Sequence, residues 1–535
     1  MPITDFSFTT YESTVHEDLD NQTTRTVPVI IVGAGPSGLT LALELAAQQI
    51  PSVIIDKDST VSFGSRAICY SKRTLEILGR LGIGKKLLAK GVRWNDGSVF
   101  LQNSLIYKYR LVNEKDFQMP AFINLQQYYL EDYLVQAVLM QPLISLRFEE
   151  SVSNLVAHRS GSIVTVTSQK GTYQLACQYL IAADGTNSTI RSMMNLHPVG
   201  ESFEDYFLIC DVKTSTTYTN ERIYWFNPSF YPQGSVLRHQ QPDKVIRIDF
   251  QLGPHCNPEV ENQPAQVAKY LNAMLGENGW SLEWSSIYKF RCRRLSSFVH
   301  NNVIFLGDSA HQVSPFGARG ANGAIAAAQN LGWKLARVLK KIAPKKLLQS
   351  YDEERGYASD INILNSTRSA LFISPLNQTC QTIRDSVLSL AKNHSAVQPL
   401  VNSGRLSEHC DYPASTLSDQ QDGCWLMQDA PLTHQGKNKW LHNVLSNKFT
   451  LLSYLLPHNK TIETYCQNHG DLNYLVIGKN ANQYLDRKKL LPNRLRLQEP
   501  CLLLIRPDQY RCASFKSFNP SQVSRAYNRA IGRLS

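Results

Sequence analysis

The 535 residues predict an α/β protein in three parts: an α/β domain with a parallel-sheet pattern, a β-sheet layer inserted into it, and a separate C-terminal domain. Three observations carry this. A Gly-rich turn stands between an apolar strand and a helix near residue 33, and two further apolar strands run into Asp-Gly at 184–185 and Gly-Asp at 307–308. Between those two, the texture changes to short alternating stretches. The chain also far exceeds the roughly 250–300 residues that one hydrophobic core supports, so a one-domain reading is excluded.

Residues 1–26 contain no apolar h-region and carry Asp5, Glu12, Glu17, Asp18 and Asp20 against Arg25, unlike a secretory signal or a transit peptide; they are expected as a loose leader. Order is expected from Val27, and residues 27–201 form the first part of the α/β domain. VPVIIVGAGPSG gives a buried strand, a turn, and then helix formers from Leu39 to Ala47. Val53-Ile54-Ile55 gives the second strand, ending on Asp56, which completes a βαβ unit.

In that turn, Gly33-Ala34-Gly35-Pro36-Ser37-Gly38 is a GxGxxG. Its first Gly permits the tight turn, the second lets a pyrophosphate approach the backbone, and the third lets helix pack on strand. Free N–H groups and the dipole at the helix start favour the anion. Asp56 is placed to accept from an adenosine ribose. Context makes this a dinucleotide site, without choosing between NAD and FAD.

Residues 202–290 are expected as the sheet layer. In Val245–Leu252, Ile246, Ile248, Phe250 and Leu252 share one face and Arg247, Asp249 and Gln251 the other, a one-sided sheet with a solvated polar face. Val303–Leu306 returns to a buried strand, and Ala324–Leu339 reads as a helix with small residues suited to close packing, so residues 291–359 are the second part of the α/β domain. Residues 360–406 read as a helical connection and 407–535 as a small third domain with strand candidates at Phe449–Leu452 and Leu502–Ile505.

Composition narrows the function classes. Hydrophobic residues at 43% exclude a mostly disordered chain, and no apolar run approaches the roughly 18 residues of a membrane span. Eleven scattered cysteines without CxxC argue against a disulfide framework or a metal site and fit a reducing cytoplasm. The net charge is +11, but Lys340-Lys341, Lys345-Lys346 and Arg487-Lys488-Lys489 are short and dispersed, which reads as solvated surface rather than a nucleic-acid stripe. The excess is a modest aid in drawing in a phosphate-bearing cofactor.

Two more segments choose the cofactor. Tyr179–Ala183 leads into Asp184-Gly185-Thr186-Asn187-Ser188-Thr189-Ile190-Arg191, and Gly307-Asp308-Ser309-Ala310-His311 leads into Ser314-Pro315-Phe316-Gly317-Ala318-Arg319-Gly320-Ala321-Asn322. With the first turn, in this order, they resemble the fingerprints of the class A FAD-dependent monooxygenases, the aromatic hydroxylases built like p-hydroxybenzoate hydroxylase. The match runs from Val27 to about Arg355 and takes in Arg66, Gln127, Asn330–Leu335 and Tyr351–Arg355. The tail, with Phe449–Leu455 and Arg506-Pro507-Asp508-Gln509, is similar to the thioredoxin-like domain of the phenol and 3-(3-hydroxyphenyl)propionate hydroxylase branch, here lacking CxxC.

The resemblance implies a FAD-binding Rossmann-like domain, an inserted β-sheet substrate domain and a thioredoxin-like C-terminal domain. It implies an enzyme that takes electrons transiently from NAD(P)H and hydroxylates a small phenolic or related aromatic substrate with O₂ through a flavin C4a-hydroperoxide. It gives Asp308 to the ribitol of FAD, the N–H groups of Ala321 and Asn322, on the helix starting near Gly320, to the pyrimidine edge, and Arg66 and Gln127 to the phosphate and ribose region, with Gly307 and Gly320 counted among the cofactor-binding residues. Asp184 belongs to the segment serving FAD and NAD(P)H, and the Pro315 carbonyl is offered to a phenolic hydroxyl. No metal is implied, and a homodimer stays open.

Where the family often has Gly and Asp after Asn322, this chain has Ala324 and Ala327. Tyr206, Tyr224, Trp225, Arg238, His239 and Arg247 are pocket candidates, with the solvated face as the default reading for those on alternating strands. His311 reads as a helix-start residue near the flavin rather than a general base. Another FAD-dependent oxidoreductase or a halogenase on the same scaffold is the alternative, although Trp280-Ser281-Leu282-Glu283-Trp284 lacks the WxWxIP pattern of such halogenases.

Overall fold

Buried β-branched residues set the central layer. In the computed structural model, which describes residues 5–20, 24–64, 66–112, 115–401, 406–419, 423–480, 482–497 and 500–534, the apolar run at Val29–Ile31 is fully buried in β1 (Arg25–Val32). After α1 (Pro36–Ala47), β2 (Ser52–Ile55) pairs parallel with β1, and β3 (Ile144–Arg147) pairs parallel with β2. On the other side, β4 (Gly171–Ala182) lies parallel to β1, so that Val32 sits opposite Ala182.

The inserted layer follows in the chain as β5 (Val199–Thr214), β6 (Arg222–Phe226), β7 (Ser235–Gln240), β8 (Val245–Gly253) and β9 (Trp280–Arg294). The chain then re-enters the first sheet at β10 (Val303–Phe305), parallel to β4. Helix α2 (Gly320–Leu339) packs on α1 through small residues: a Cβ at Gly332 would come within 2.8 Å of the Glu44 Cβ. The helical stretch expected from 360 begins earlier, as α3 (Gln349–Ile373).

In the β10–β4–β1–β2 order every strand points the same way, so Gly33, Asp56, Asp184 and Gly307-Asp308 all emerge at the carboxyl ends of neighbouring parallel strands. Ligands of open α/β sheets bind in that crevice.

The inserted layer is an antiparallel sheet in the order β9–β5–β8–β7–β6, extended beyond β6 by a hairpin of strands Asp96–Leu101 and Ser104–Arg110. The hairpin comes from the stretch assigned by sequence to the first part of the cofactor domain. Ile246, Ile248 and Phe250 of β8 pack with Val267, Tyr270 and Leu271 of helix Pro264–Leu275. The opposite face of β8 is turned to the crevice, with Arg247 only 2% exposed.

The C-terminal part is a five-stranded sheet in which Phe449–Tyr454 pairs parallel with Leu472–Ile477 and antiparallel with Cys501–Ile505. Helices Lys460–His469 and Pro520–Ala530 complete the thioredoxin-like order, and the eleven cysteines are free thiols. This part docks through a buried ion network. Arg506 donates to Glu354 of α3 at 2.6 and 3.0 Å and to Asp508 at 2.9 and 2.5 Å, while Lys334 of α2 donates to Glu354 at 2.7 Å.

The expected loose leader is packed along residues 5–20. Phe6 and Phe8 meet Tyr128 at ring-centroid distances of 4.7 and 5.5 Å, Tyr11 stacks on Phe148, and Asp18 takes hydrogen bonds from Arg25 and Arg147. Among the described residues, no helix is long and apolar enough to cross a membrane.

Candidate active site

The ends of β1, β2, β4 and β10 open onto a cavity of about 790 Å³ that continues beneath the polar face of the inserted sheet. At its nucleotide end Gly33, Ala34, Gly35, Pro36 and Ser37 form one wall. Gly33 has φ +110°, and a Cβ there would lie 2.4 Å from the Ala183 carbonyl oxygen, so the backbone leaving β4 passes too close for any side chain. A Cβ at Gly35 would meet no atom within 4 Å, because that position faces the cavity. Gly38 is the packing glycine: its Cβ would fall 2.0 Å from the Gly33 carbonyl oxygen, and it does not line the cavity.

Asp56 lines the same wall and accepts hydrogen bonds from the N–H groups of Ala34 (2.5 Å) and Asp58 (2.9 Å). Burial pushes its carboxyl up, against the pull of those two donors. Asp184 Oδ2 takes the Ile190 N–H at 3.1 Å at the start of the short helix Thr189–Met193, whose N-cap is Ser188, while Asp184 Oδ1 is buried and has no hydrogen-bond partner among the described residues. Asp308 is open to the cavity yet deep in the molecule. Burial raises its carboxyl, and Thr186 Oγ1 donates to it at 3.3 Å.

Gly307, at φ +69°, turns the chain beside Ser37 without lining the cavity. Gly320 and Ala321 do line it, at the start of α2, where the first N–H groups have no partner within the helix. Arg66 is exposed on the rim, and Gln127 lines the wall. The Gln127 side chain accepts from the Ala67 N–H at 2.9 Å and donates to Glu131 at 2.7 Å, holding the loop that carries Arg66.

Asn322 does not reach the cavity. Its side chain ties α2 to the segment Cys69–Thr74: Oδ1 accepts from the Ser71 N–H and Thr74 Oγ1 at 2.9 and 2.6 Å, and Nδ2 donates to the Cys69 carbonyl at 2.9 Å. Pro315 is exposed in the cavity, and its carbonyl already accepts from the Ala318 N–H at 3.0 Å, leaving one lone pair for a ligand. Ala324 lines the cavity beside Gly307 and Ala327 is buried, so the two departures sit in a close-packed seam.

The sheet face above Pro315 corrects the sequence expectation. Arg247 is not solvated: it forms a two-bonded pair with Asp211 at 2.9 and 3.0 Å and lines the cavity with His239. Alternation shows which residues share a face. It does not show whether that face meets water or another domain. Tyr206, Tyr224, Trp225 and Arg238 lie outside the cavity lining. His311 starts no helix; it is on a short strand opposite Arg294, buried, outside the lining, and pushed down to about 3 by burial and the charges of Arg355 and Arg294.

Several working residues carried no assigned role in the sequence. Arg191 donates to the carbonyls of Thr186 (2.6 Å) and Ser309 (3.0 Å), tying the second fingerprint to the third. Its fixed place in the Asp184–Arg191 segment was the available signal. Arg222 and Asp249 also line the cavity, and only the strand register brings them there.

A dinucleotide fits these walls: Gly35 leaves room at the turn where a Cβ would fill the cradle, Asp56 and Asp308 present carboxylates to the cavity, and the starts of α1 and α2 carry N–H groups with no partner within the helix. Residues 26–362 match the FAD binding domain family. The chain belongs to that family. A flavin-dependent monooxygenase from Mycobacteroides abscessus is 30% identical over 353 residues, covering 61% of this chain and 70% of the relative. A 3-(3-hydroxy-phenyl)propionate/3-hydroxycinnamic acid hydroxylase from Burkholderia cenocepacia is 24% identical over 435 residues, covering 80% and 79%.

The structure of the flavin-dependent monooxygenase PieE with FAD and substrate matches over 95% of this chain and 99% of its own, with a TM-score of 0.81 at 19% identity. The three-part fold is therefore shared along nearly the whole length. This family member is a flavin-dependent monooxygenase, and FAD is its cofactor.

Proposed function

We propose that this enzyme hydroxylates a phenol or related aromatic compound, using NAD(P)H as electron donor. The observation that carries the reading is the continuity of the cavity from the Gly33–Ser37 turn, past Asp308 and Pro315, to the polar face of β7 and β8. One space holds both a dinucleotide and a neighbouring small molecule.

In this account the turn and the start of α1 hold the pyrophosphate, Asp56 the adenosine ribose, and Asp308 the ribitol. Gly320 and Ala321 aim helix N–H groups at the pyrimidine edge, where a positive helix end stabilises negative charge. Asp184 holds its own loop through Ile190 and lines the cofactor's part of the cavity. Bound FAD supplies electron transfer from the nicotinamide and the activation of O₂; the chain supplies position and exclusion of water. The Pro315 carbonyl orients a hydroxyl on the substrate side. Free thiols throughout support a reducing, cytoplasmic setting.

The test is a screen of phenols and aromatic acids with the FAD-loaded protein, reading NADH and NADPH oxidation and product mass. At least one compound should accelerate oxidation and gain one oxygen atom. Acceleration that yields only hydrogen peroxide, with every compound recovered unchanged, would refute the reading.

A further inference from the structure

The strand register builds two rows on the sheet face that roofs the cavity. Asp211 of β5, Arg247 of β8 and His239 of β7 stand side by side, with Arg222 of β6 next in line. In the adjoining row Asp249 of β8 stands between Ile209 of β5 and Leu237 of β7, and all three line the cavity. Asp249 is thus a carboxyl framed by aliphatic side chains on both sides, one row from a line of charges.

Its neighbours in the first row are committed. Asp211 is held by Arg247 and by Gln241 Nε2 at 2.9 Å. His239 has its Nδ1 3.8 Å from the Cys69 sulfur; burial and the charges of Arg222, Arg247 and Arg238 hold it far below its ordinary pKa, so it is a poor proton acceptor. Asp249 differs: Oδ1 is buried and has no hydrogen-bond partner among the described residues. A buried orphan oxygen calls for an explanation, since desolvating a polar group without a partner is costly.

We propose that Asp249 is a catalytic residue that accepts the proton of the substrate's ring hydroxyl, with Arg222 and Arg247 stabilising the resulting oxyanion. This rests on the phenolic reading above. The substrate O–H bond breaks, its electron pair stays on the ring oxygen, and a new O–H bond forms on the Asp249 carboxylate where it lines the cavity. The negative charge moves from the carboxylate to the substrate, beside two guanidinium groups, and density pushed into the ring activates the positions ortho and para to the oxygen.

The electrostatics agree with that role. Burial raises Asp249 to about 7, against the opposing charges of Arg247 and Arg222 and with the help of Asp211. Tyr224 of β6, in the same row beyond Leu237, and Cys69 of strand Cys69–Ser71 are neighbouring titratable groups, and burial raises both, which keeps them neutral; Cys210 of β5, also raised by burial, lies on the opposite face of the sheet. A carboxylate of raised pKa is a stronger base toward a phenol than an ordinary one, and proton transfer is efficient when the acceptor titrates near the working pH.

The experiment uses FAD-loaded protein without reductant and 4-nitrophenol as the probe, whose ionised form absorbs differently from its neutral form. Wild type, Asp249→Asn and Asp249→Glu are titrated with the probe across pH, with FAD affinity measured alongside. Wild type should bind the phenolate, and Asp249→Asn should bind the neutral phenol, with the apparent pKa of the bound probe raised by about one unit or more, a tenfold loss in ionisation. Asp249→Glu should restore part of the phenolate signal, and FAD affinity should be unchanged in both. In turnover, Asp249→Asn should lose about a hundredfold in hydroxylation of a weakly acidic phenol, and less for a strongly acidic one. An Asp249→Asn protein that ionises bound 4-nitrophenol as wild type does overturns the assignment of Asp249 alone. A wild type that takes up neither this probe nor any phenol overturns the phenolic reading with it.

Discussion

Replacing Gly33 and Gly35 separately by Ala should split stability from cofactor binding. At Gly33 the added Cβ would lie 2.4 Å from the Ala183 carbonyl oxygen and 2.9 Å from the Asp184 nitrogen, both backbone atoms that cannot swing aside, at φ +110°. The backbone conformation costs an alanine about 1–3 kcal/mol. The overpacking costs a further 1–3 kcal/mol or so. Their sum is a large share of the roughly 5–15 kcal/mol that separates folded from unfolded protein.

At Gly35 the backbone is extended, φ −76° and ψ 179°, and the new methyl meets no protein atom within 4 Å. Gly35→Ala should therefore leave apoprotein stability within about 0.5 kcal/mol. The same methyl would stand where the pyrophosphate approaches the backbone, so FAD affinity should fall at least about tenfold, some 1.4 kcal/mol. Thermal unfolding of the two apoproteins and a flavin-fluorescence titration separate the effects. A Gly35→Ala protein that binds FAD as tightly as wild type would refute the cradle, and a Gly33→Ala apoprotein as stable as wild type would refute the account of the turn.

Two further outcomes concern the joint between the domains. Arg506→Met leaves the buried carboxylates of Glu354 and Asp508 with the Lys334 ammonium and no guanidinium between them, which should destabilise the docked C-terminal part by about 3–5 kcal/mol. Limited proteolysis should then cut the tail before the FAD domain; an unchanged cleavage pattern would contradict this. Burial tends to raise Glu354, but the charges of Arg506 and Lys334 outweigh it and hold the folded carboxyl well below its ordinary 4.5. The unfolded chain therefore takes up that proton first, so the contribution is present above pH 4.5 and is lost as pH falls below it. Glu354→Gln should lower the melting temperature at neutral pH and flatten its decline on the acid side, whereas a curve parallel to wild type would contradict the assignment.

The strand ends were legible in the sequence because each combines a buried run with a turn residue: Gly33 at positive φ, Asp56 after Ile55, Asp184-Gly185 after Ala183. The roof of the cavity was not. Arg247 and Asp249 alternate with Ile246 and Ile248 just as a solvated strand would, and only pairing with β5 and β7 under a second domain makes their face a lining. The leader was misread for a similar reason: Phe6 and Phe8 are isolated aromatics in a polar stretch, and their partners Phe63, Tyr128 and Tyr129 lie far along the chain. Asn322, expected beside the cofactor, lies outside the cavity lining, and its side chain holds α2 against Ser71 and Thr74.

We propose that in this cavity an oxygen atom from O₂ is inserted into an aromatic ring beside the bound flavin. The most direct test is a single turnover with FAD-loaded protein, NAD(P)H, an accepted phenol and isotopically heavy O₂, with the product weighed. The account predicts a product carrying one heavy oxygen atom. A product whose new oxygen comes from water, or labelled hydrogen peroxide beside unchanged phenol, would contradict it.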